Sequence, residues 1–288
     1  MVFRVQALDP EEIHRAVRLA LDEDIGGGDA TTLAMVPKNA TARAVMRARE
    51  PLVTAGLALA AAAFRELSPA VRIERLGKDG VHVERNGVLM RIAGPARALL
   101  TAERVSLNFI QRLCGIATLT AQYVEAVSGT RARILDTRKT TPGWRRFEKY
   151  AVTCGGGRNH RFGLFDRVLI KDNHLAALRG ARPNAVTAAI RLAQSNYPEL
   201  PIEVEADTLG QVEQALAAGA KMTLLDNMKP AQLRRAVRLC RGRARTEASG
   251  GVNLVSVRAI ARAGVDFISV GALTHSARSM DIGLDFDE

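Results

Sequence analysis

The sequence has few aromatic residues, few cysteines and no long apolar run. Phenylalanine, tyrosine and tryptophan together make up 4% of its 288 residues. No basic stretch is interleaved with stacking aromatics, which argues against a platform for single-stranded nucleic acid. No zinc-finger or other DNA-reading signature is present either. Nucleic-acid binding driven only by the net positive charge is therefore a minor alternative.

The three cysteines are isolated and odd in number. Cys114, Cys154 and Cys240 form no CxxC or metal-binding spacing, so we expect no disulfides and a reducing compartment. Residues 1–9 lack the basic and apolar segments of a signal peptide. The longest apolar run, residues 55–64, is shorter than the roughly 20 residues of a membrane span. We therefore expect a cytoplasmic protein that does not bind membranes.

Positive charge is concentrated in one segment. Residues 131–171 hold eleven lysines and arginines against three acids, and so carry +8 of the net +11 of the chain. Several of these cations follow apolar, strand-like runs, from which a fold can direct them into a pocket. The pattern indicates a site for a small, highly charged anion.

The first helix has clear boundary signals. Asp9 is a candidate N-cap, Pro10 suits the first helical position, and Glu12 completes a capping-box pattern. The glycines at 26–28 are expected to end this helix.

The next segment, residues 40–95, is predicted to be rich in strands. Residues 81–84 and 88–92 flank Asn86-Gly87, a strong signal for a β-hairpin. A helix over residues 55–67 interrupts the strands. We expect a small α+β domain built on an antiparallel sheet.

The second half alternates short apolar runs with helical patterns, after a long helix predicted over residues 96–112. Such alternation predicts βα units and a parallel sheet. The candidate strands are residues 132–135, 168–170, 202–204, 222–225, 245–248 and 267–270. The candidate helices between them include residues 187–195, 209–218, 230–241 and 255–263.

A polar residue or a glycine follows each of the six candidate strands. Such placement is typical of the catalytic face of a (β/α) barrel, where side chains at the carboxyl ends of strands converge. Because six strands are visible, we expect an incomplete barrel. The predicted domains are an N-terminal α+β domain (1–112), an α/β barrel (113–275) and a C-terminal tail (276–288) that packs on the N-terminal domain.

Acidic side chains end two neighbouring strands. Glu203 and Glu205 alternate along one strand and therefore share a face, and Asp226 ends the next strand. Carboxylates at such positions hold Mg²⁺, directly or through water, or accept hydrogen bonds from sugar hydroxyls. Structural ion pairs with the basic segment are the alternative, and both roles can coexist.

Cations and glycines follow the other strands. Lys171 directly continues the run 168–170, so a Schiff-base aldolase is an alternative function. Ser249-Gly250-Gly251 and Gly271-Ala272 each precede a predicted helix, where exposed N–H groups bind phosphate. No pair of histidines has the spacing of a zinc site.

These motifs resemble those of the quinolinate phosphoribosyltransferase family over nearly the whole chain. The resemblance rests on residues 136–143, 148–151, 155–161, 163–164 and 169–174, together with 203–205, 225–227, 249–251 and 270–275. Shorter matches occur at 23–26, 28–29, 31–32, 103–104 and 107–108.

The resemblance implies an enzyme of NAD biosynthesis with the type II phosphoribosyltransferase architecture. It would join quinolinate to phosphoribosyl pyrophosphate, giving nicotinate mononucleotide, pyrophosphate and CO₂, with Mg²⁺ as cofactor. It would be a homodimer with shared active sites, or a higher oligomer of such dimers.

The family's residue roles carry over by position. Arg138, His160, Arg161 and Lys171 would bind quinolinate, together with Arg104 from the neighbouring subunit. Lys139, Glu205 and Asp226 would serve phosphoribosyl pyrophosphate, with Glu205 and Asp226 also at the metal, and Thr137 would be a further substrate-binding residue. Phosphate would bind at Ser249, Gly250, Gly251, Val270, Gly271 and Ala272. Lys139, Lys171, Glu205 and Asp226 would be the catalytic set.

One position departs from the family pattern. Members usually carry histidine where this chain has Arg158, so a role for that histidine is not expected here. The nearest alternative is a relative on the same fold that is linked to molybdenum transport. The runs Asn159-His160-Arg161 and 171–174 favour quinolinate.

Overall fold

The computed structural model describes residues 7–286, which divide into two compact units. Residues 1–6 and 287–288, which belong to the predicted N-terminal domain and C-terminal tail, lie outside the described residues. The described residues of the first unit lie within Met1–Ala121, Thr141–Gly156 and Ser276–Glu288, and those of the second lie within Gln122–Thr140 and Gly157–His275. Among the residues described, no helix has the length and apolar character needed to cross a membrane.

Helices and strands are numbered in chain order. The helices are α1 Pro10–Ile25, α2 Ala30–Met35, α3 Leu57–Leu67, α4 Ala96–Ala126, α5 Arg145–Cys154, α6 Asp172–Ala177, α7 Ala185–Asn196, α8 Leu209–Ala217, α9 Pro230–Cys240, α10 Val257–Arg262 and α11 Ala272–His275. The strands are β1 Thr41–Ala48, β2 Leu52–Val53, β3 Arg72–Arg75, β4 His82–Val83, β5 Val88–Pro95, β6 Arg133–Leu135, β7 Val168–Ile170, β8 Ile202–Ala206, β9 Met222–Asp226, β10 Arg245–Ser249, β11 Phe267–Ser269 and β12 Ile282–Phe286.

The boundaries of α1 are those that the sequence predicts. Asp9 accepts a hydrogen bond from the N–H of Glu11 at 2.9 Å, and Gly26 ends the helix with a φ of 50°. The predicted capping box is wrong. The carboxylate of Glu12 instead pairs with Arg146, 3.2 Å away, because an ion pair with a guanidinium competes with the capping bond.

An antiparallel sheet in the order β12-β1-β5-β3 forms the centre of the first unit. Alternate residues of β1, among them Met46, point to one face and are fully buried there. The ring of Phe64 on α3 is also fully buried, and removing such a side chain from water contributes roughly 1.5–3 kcal/mol. The last strand, β12, pairs with β1 from Ala48↔Ile282 to Ala44↔Phe286.

The predicted hairpin around Asn86-Gly87 is wrong. The chain does turn there, with the N–H of Gly87 donating to the carbonyl of Glu84 at 3.0 Å. However, β4 pairs with β2, while β5 pairs with β1 and β3. The backbone groups at the tip of the turn bond to Ala48 at the end of β1, so the turn joins two different sheets.

A parallel sheet in the order β6-β11-β10-β9-β8-β7 forms the second unit. All six strands lie where the sequence predicts, and α7, α8, α9 and α10 lie between consecutive strands. β6 and β7 are consecutive strands along the chain, but they lie at the two edges of the sheet and do not pair with each other. The sheet of βα units therefore does not close, and the expected incomplete α/β barrel is confirmed. Ile170, Val186, Ile190 and Val204 belong to the core between the sheet and α7.

Glu50 binds the segment that leads into β12. Its carboxylate accepts from Arg278 at 2.5 and 2.7 Å and from the N–H of Asp281 at 2.8 Å. The hydrogen bonds from Arg278, followed by that from Asp281, lower the pKa of Glu50 from 4.5 to about 2. The carboxylate thus stabilises the fold fully above pH 4.5, and this contribution is lost as the pH falls toward 2.

We therefore expect Glu50→Gln to lower the free energy of unfolding at pH 7. The loss should be about 1 kcal/mol, because the guanidinium of Arg278 is largely solvent-exposed and the attraction is screened. Urea unfolding from pH 6 to pH 3 should show the difference from wild type shrinking. Glu74→Gln, which breaks the exposed pair with Arg91, is the control and should have a smaller effect. A difference that stays constant with pH would contradict the assignment.

Candidate active site

The carboxyl ends of the six parallel strands surround a cavity of about 590 Å³ in the second unit. Among the described residues, the predicted ones that line it are Thr137, Arg138, Lys139, His160, Arg161, Lys171, Glu205, Asp226, Ser249, Gly250, Gly251, Gly271 and Ala272. They follow different strands and meet because the carboxyl ends of parallel strands lie on one side of the sheet.

Two predicted residues lie elsewhere. Val270 is buried, and its N–H donates to the carbonyl of Leu135 at 2.9 Å, so it extends the sheet next to β6. Arg104 is exposed on α4 in the first unit and is not among the described residues that line the cavity.

Arg158, which stands where family members usually carry histidine, also pairs with the edge of the parallel sheet. The N–H of Arg158 donates to the carbonyl of Ile134, and its own carbonyl accepts from Asp136, so this segment pairs alongside β6. Burial and the charges of Arg133 and Arg245 lower the pKa of Arg158. Arg158 is absent from the described lining of the cavity.

Cations occupy one part of the cavity. Arg161 is buried, and burial together with the charge of Arg138 lowers its pKa. The Nε of Arg138 is buried and makes no hydrogen bond within the described residues. A buried donor left unpaired costs about 1–3 kcal/mol, so a carboxylate of a ligand would be stabilised at this place.

Acidic side chains form a cluster at another part, where Glu205 and Asp226 line the cavity and Asp207 is an exposed neighbour. The carboxylates of Glu205, Asp207 and Asp226 lie within 4.8 Å of one another. Burial and the charge of Asp226 raise the pKa of Glu205, while burial and the charge of Asp207 raise the pKa of Asp226. Such mutual repulsion favours a bound cation, and oxygen ligands suit Mg²⁺.

Asp207 was missed by the sequence analysis. It lies one residue beyond the end of β8, where a loop begins, and the alternation that identifies Glu203 and Glu205 does not extend to a loop. Asp207 continues the every-second-residue spacing of Glu203 and Glu205, and this spacing was the only sequence pattern that pointed to it.

Lys139 is held beside the predicted phosphate loop. Its carbonyl accepts from the hydroxyl of Thr274 at 2.7 Å. A Cβ placed on Gly271 would lie 3.1 Å from Cδ of Lys139 and 3.0 Å from Nε2 of His275. The absence of a side chain at Gly271 therefore lets the lysine stem pass over the backbone that begins α11.

Gly250 begins the other glycine loop with a φ of 93°. A Cβ there would lie 2.1 Å from Oδ1 of Asn227 and 2.9 Å from its backbone N. The side chain of Asn227 in turn donates to Asp226 at 2.5 Å. The loop backbone thus approaches Asn227, the neighbour of Asp226, too closely for any residue but glycine.

Gly250→Ala should destabilise the protein more than Gly219→Ala does. Both glycines have positive φ, which costs alanine about 1–2 kcal/mol, but a Cβ at Gly219 meets nothing within 4 Å. The collision with Asn227 should add at least about 1 kcal/mol, because part of the contact is with rigid backbone. Urea unfolding of the two variants measures the difference. Equal losses would show that the loop moves aside freely.

Glu203 and Glu247 are both fully buried, and Glu247 is one of the residues that line the cavity. Burial raises the pKa of Glu203, but hydrogen bonds and charge from His160 and Arg167 outweigh it, and the net shift is downward. Burial and the charge of Glu203 raise the pKa of Glu247 well above its ordinary value. The pKa values of the two acids are thus shifted in opposite directions.

His160 is buried, and both of its ring nitrogens are engaged within the protein. Nδ1 accepts from the N–H of Arg161 at 2.7 Å, so Nε2 carries the proton and donates to Glu203 at 3.0 Å. His160, Glu203 and Glu247 lie close enough to suggest a metal site. However, a metal on Nε2 would require a proton on Nδ1, which would face the N–H of Arg161, so this cluster does not suit a metal.

Part of the motif that carries the family resemblance is structural. Glu148 is fully buried in the first unit and accepts from Arg112 at 2.9 Å and from Thr141 at 2.8 and 3.0 Å. The hydroxyl of Tyr150 donates to Asp79 at 2.7 Å, and Asp79 accepts from the first N–H groups of α3.

Known proteins resemble this chain along nearly its whole length. A nicotinate-nucleotide pyrophosphorylase (carboxylating) of Mycobacterium leprae is 45% identical over 93% of this chain and 95% of its own. A probable nicotinate-nucleotide pyrophosphorylase (carboxylating) of Bacillus subtilis is 43% identical over 91% of this chain and 89% of its own. The solved nicotinate-nucleotide pyrophosphorylase of Francisella tularensis matches with a TM-score of 0.92 at 37% identity, covering 100% of both chains.

Family models match both parts of the chain. The N-terminal domain of quinolinate phosphoribosyl transferase matches residues 29–114, and its C-terminal domain matches residues 116–285. Together with the relatives above, these matches show that the chain belongs to the quinolinate phosphoribosyltransferase family.

Proposed function

We propose that the cavity of the second unit binds quinolinate and phosphoribosyl pyrophosphate side by side and joins them. The products are nicotinate mononucleotide, pyrophosphate and CO₂, the activity for which the family and the relatives are named. The observation that carries the proposal is the division of one cavity into a cationic part and an acidic part. A dicarboxylate suits the first, and a sugar diphosphate with its metal suits the second.

The cationic part suits the two carboxylates of quinolinate. The guanidinium groups of Arg138 and Arg161 form paired hydrogen bonds with carboxylates, and the ammonium of Lys171 adds a compact charge. His160 is engaged on both ring nitrogens and so supports Arg161 rather than donating to the substrate. Because the guanidinium of Arg161 is already held by the carbonyl of Arg167, little ordering cost falls on this contact when quinolinate binds.

The acidic part suits the ribose and a Mg²⁺ ion. The carboxylates of Glu205, Asp207 and Asp226 supply the oxygen ligands that this ion prefers, either directly or through water. When bound, Mg²⁺ would neutralise the charge of the pyrophosphate leaving group. Lys139 and the loop Ser249-Gly250-Gly251 would contribute an ammonium and backbone N–H groups to the phosphates.

The reaction then needs no nucleophile from the protein. The ring nitrogen of quinolinate forms a bond with the anomeric carbon as the bond to pyrophosphate breaks. The carboxylates of Glu205 and Asp226 stabilise the positive charge that develops on the sugar. The ring nitrogen, now cationic, stabilises the carbanion left when the adjacent carboxylate departs as CO₂, and that carbon takes up a proton. Quinolinate has no aldehyde or ketone, so Lys171 forms no Schiff base.

A turnover assay tests this function. The purified protein with quinolinate, phosphoribosyl pyrophosphate and Mg²⁺ should release CO₂ and nicotinate mononucleotide in equal amounts. Nicotinate, which lacks one carboxylate, should be a poor substrate, because losing one charge-assisted contact costs about 1.5–3 kcal/mol. Equal catalytic efficiency on both acids would refute the proposed use of the cations.

Asp226→Asn should reduce turnover and leave quinolinate binding intact. Loss of the charge at one metal ligand should reduce kcat by at least about 10- to 100-fold at limiting Mg²⁺. Asp207→Asn, at the exposed edge of the acidic cluster, is the matched control and should have a smaller effect. Titration with Mg²⁺ and calorimetry with quinolinate separate the two effects. Unchanged turnover of Asp226→Asn at limiting Mg²⁺ would contradict the metal assignment.

The proposed assembly is a homodimer in which each subunit completes the site of the other. Arg104 is exposed on α4 in the first unit, and its charge favours ionisation of the neighbouring Glu103, whose burial raises the pKa. The described lining of the cavity comes from the second unit alone. An arginine from a second copy would add a further cation for the carboxylates of quinolinate.

Mixing two inactive variants tests this arrangement. Arg104→Ala and Lys171→Ala should each be nearly inactive alone. A heterodimer of the two would contain one site with both changes and one site with neither, so activity should return to about half per dimer. Subunit exchange confirmed by native mass spectrometry, followed by a turnover assay, is the measurement. Heterodimers without activity would mean that Arg104 acts at the site of its own subunit or is needed only for folding.

We also propose that the enzyme works in the cytoplasm. Cys114, Cys154 and Cys240 are free and buried, and burial raises the pKa of each thiol. Unpaired, protonated thiols suit a reducing compartment.

A further inference from the structure

The buried carboxylate of Glu203 contacts His160, one of the residues that line the cavity. It belongs to β8, two residues before Glu205, and its side chain has no exposed surface. One of its oxygens, Oε2, accepts from Nε2 of His160 at 3.0 Å and from Nη1 of Arg167 at 3.0 Å. A single buried oxygen thus holds two side chains from the segment between β6 and β7.

Both of these side chains belong to residues that bind Arg161. The backbone N–H of Arg161 donates to Nδ1 of His160 at 2.7 Å. The guanidinium Nη1 of Arg161 donates to the carbonyl of Arg167 at 3.1 Å. Glu203 is therefore connected to Arg161 at two points, its backbone through His160 and its guanidinium through Arg167.

The connection through His160 is directional. Since Nδ1 accepts from Arg161, only Nε2 carries a proton, and Glu203 is its acceptor. If the carboxylate were replaced by an amide, its carbonyl oxygen could still accept from Nε2 and from Arg167, but both hydrogen bonds would lose the strengthening that the negative charge gives them. The charged hydrogen bond to Glu203 therefore fixes the orientation of the His160 ring, and the ring in turn fixes the position of the Arg161 backbone.

Arg161 is buried close to Arg138, and the like charges repel. An arginine in such a place stays in one rotamer only if other contacts hold it. Arg167 supplies a carbonyl for that purpose, and Arg167 is itself held by Glu203 and lies 3.5 Å from the sulfur of Met222. The buried carboxylate is thus the common anchor of this network.

We infer that Glu203 is a positioning residue for Arg161 and thereby determines the affinity of the site for quinolinate. This inference rests on the proposed function, because it assigns the carboxylates of quinolinate to Arg161. Glu203 would not contact the substrate. It would act through His160 and Arg167, and its loss would leave the binding of phosphoribosyl pyrophosphate largely unchanged.

Glu247 limits the negative charge at the anchor. Its Oε1 lies 3.5 Å from Nε2 of His160, next to the oxygen that accepts the hydrogen bond. Burial and the charge of Glu203 raise the pKa of Glu247 well above its ordinary value, which favours its neutral form beside His160. Glu247→Gln, which is neutral and of similar shape, should therefore preserve quinolinate affinity within about twofold, whereas Glu203→Gln should not.

A double-mutant cycle between Glu203 and Arg161 tests the inference. Glu203→Gln should raise the quinolinate Kd and KM by about 10- to 100-fold, the equivalent of one lost charge-assisted hydrogen bond. The KM for phosphoribosyl pyrophosphate should change by less than about twofold. In an Arg161→Ala background, Glu203→Gln should have little further effect on quinolinate, because two residues that act through one contact are not additive.

Two further variants keep the test interpretable. Thr223→Val replaces a buried hydroxyl on the neighbouring strand that has no partner within the described residues, and it should leave both KM values unchanged. Arg167→Met removes the guanidinium that binds Glu203 without changing Glu203. It should reproduce the selective loss of quinolinate affinity even if Glu203→Gln fails to fold.

The outcomes are distinct. Equal losses from Glu203→Gln with and without Arg161, or a parallel rise in both KM values, would overturn the inference and indicate a general structural role. Wild-type affinity in Glu203→Gln would overturn it as well. In both cases the wild-type enzyme would still turn over quinolinate. A wild-type protein that neither binds nor converts quinolinate would instead remove the proposed function, and this inference with it.

Discussion

Repulsion between like charges is the constraint on which the cavity depends. Arg138, Arg161 and Lys171 line one cavity, and the guanidinium of Arg161 is held against the repulsion from Arg138 by the carbonyl of Arg167. Two buried carboxylates position His160, whose Nδ1 accepts from the N–H of Arg161. Asp136 accepts from the N–H of His160 at 2.8 Å, and Glu203 accepts from its ring. Each carboxylate provides a hydrogen-bond acceptor to a buried donor that has lost its contact with water, and each fixes the orientation of the group that donates to it.

The strands of the second unit could be predicted because a parallel sheet is buried on both faces. Its strands therefore appear as short, continuous apolar runs, as in residues 168–170. The chain leaves each strand at the same edge of the sheet, so the first polar residue after a run points to the site. This simple geometry identified Lys171, Glu205 and Asp226 from the sequence.

Other features depend on tertiary contacts that no local pattern records. Asn86-Gly87 forms the turn that its residues favour. However, the strands on either side of the turn pair with β1 and β2, about 40 residues earlier in the chain, and not with each other. Asp207 joins the acidic cluster from a loop. The role of His160 depends on what its two ring nitrogens contact, which residue type alone does not reveal. The partner of Arg104 lies outside a single chain in the proposed assembly.

The pairing of β12 with β1 has a consequence for synthesis on the ribosome. The two strands are separated by more than 230 residues of sequence, from Ala48 to Ile282. A growing chain can therefore form β1, β5 and β3 early, but the outer side of β1 must wait until the last strand emerges. An unpaired strand edge exposed for that time invites pairing with other chains. We expect truncation before β12 to promote aggregation more than its length alone would suggest.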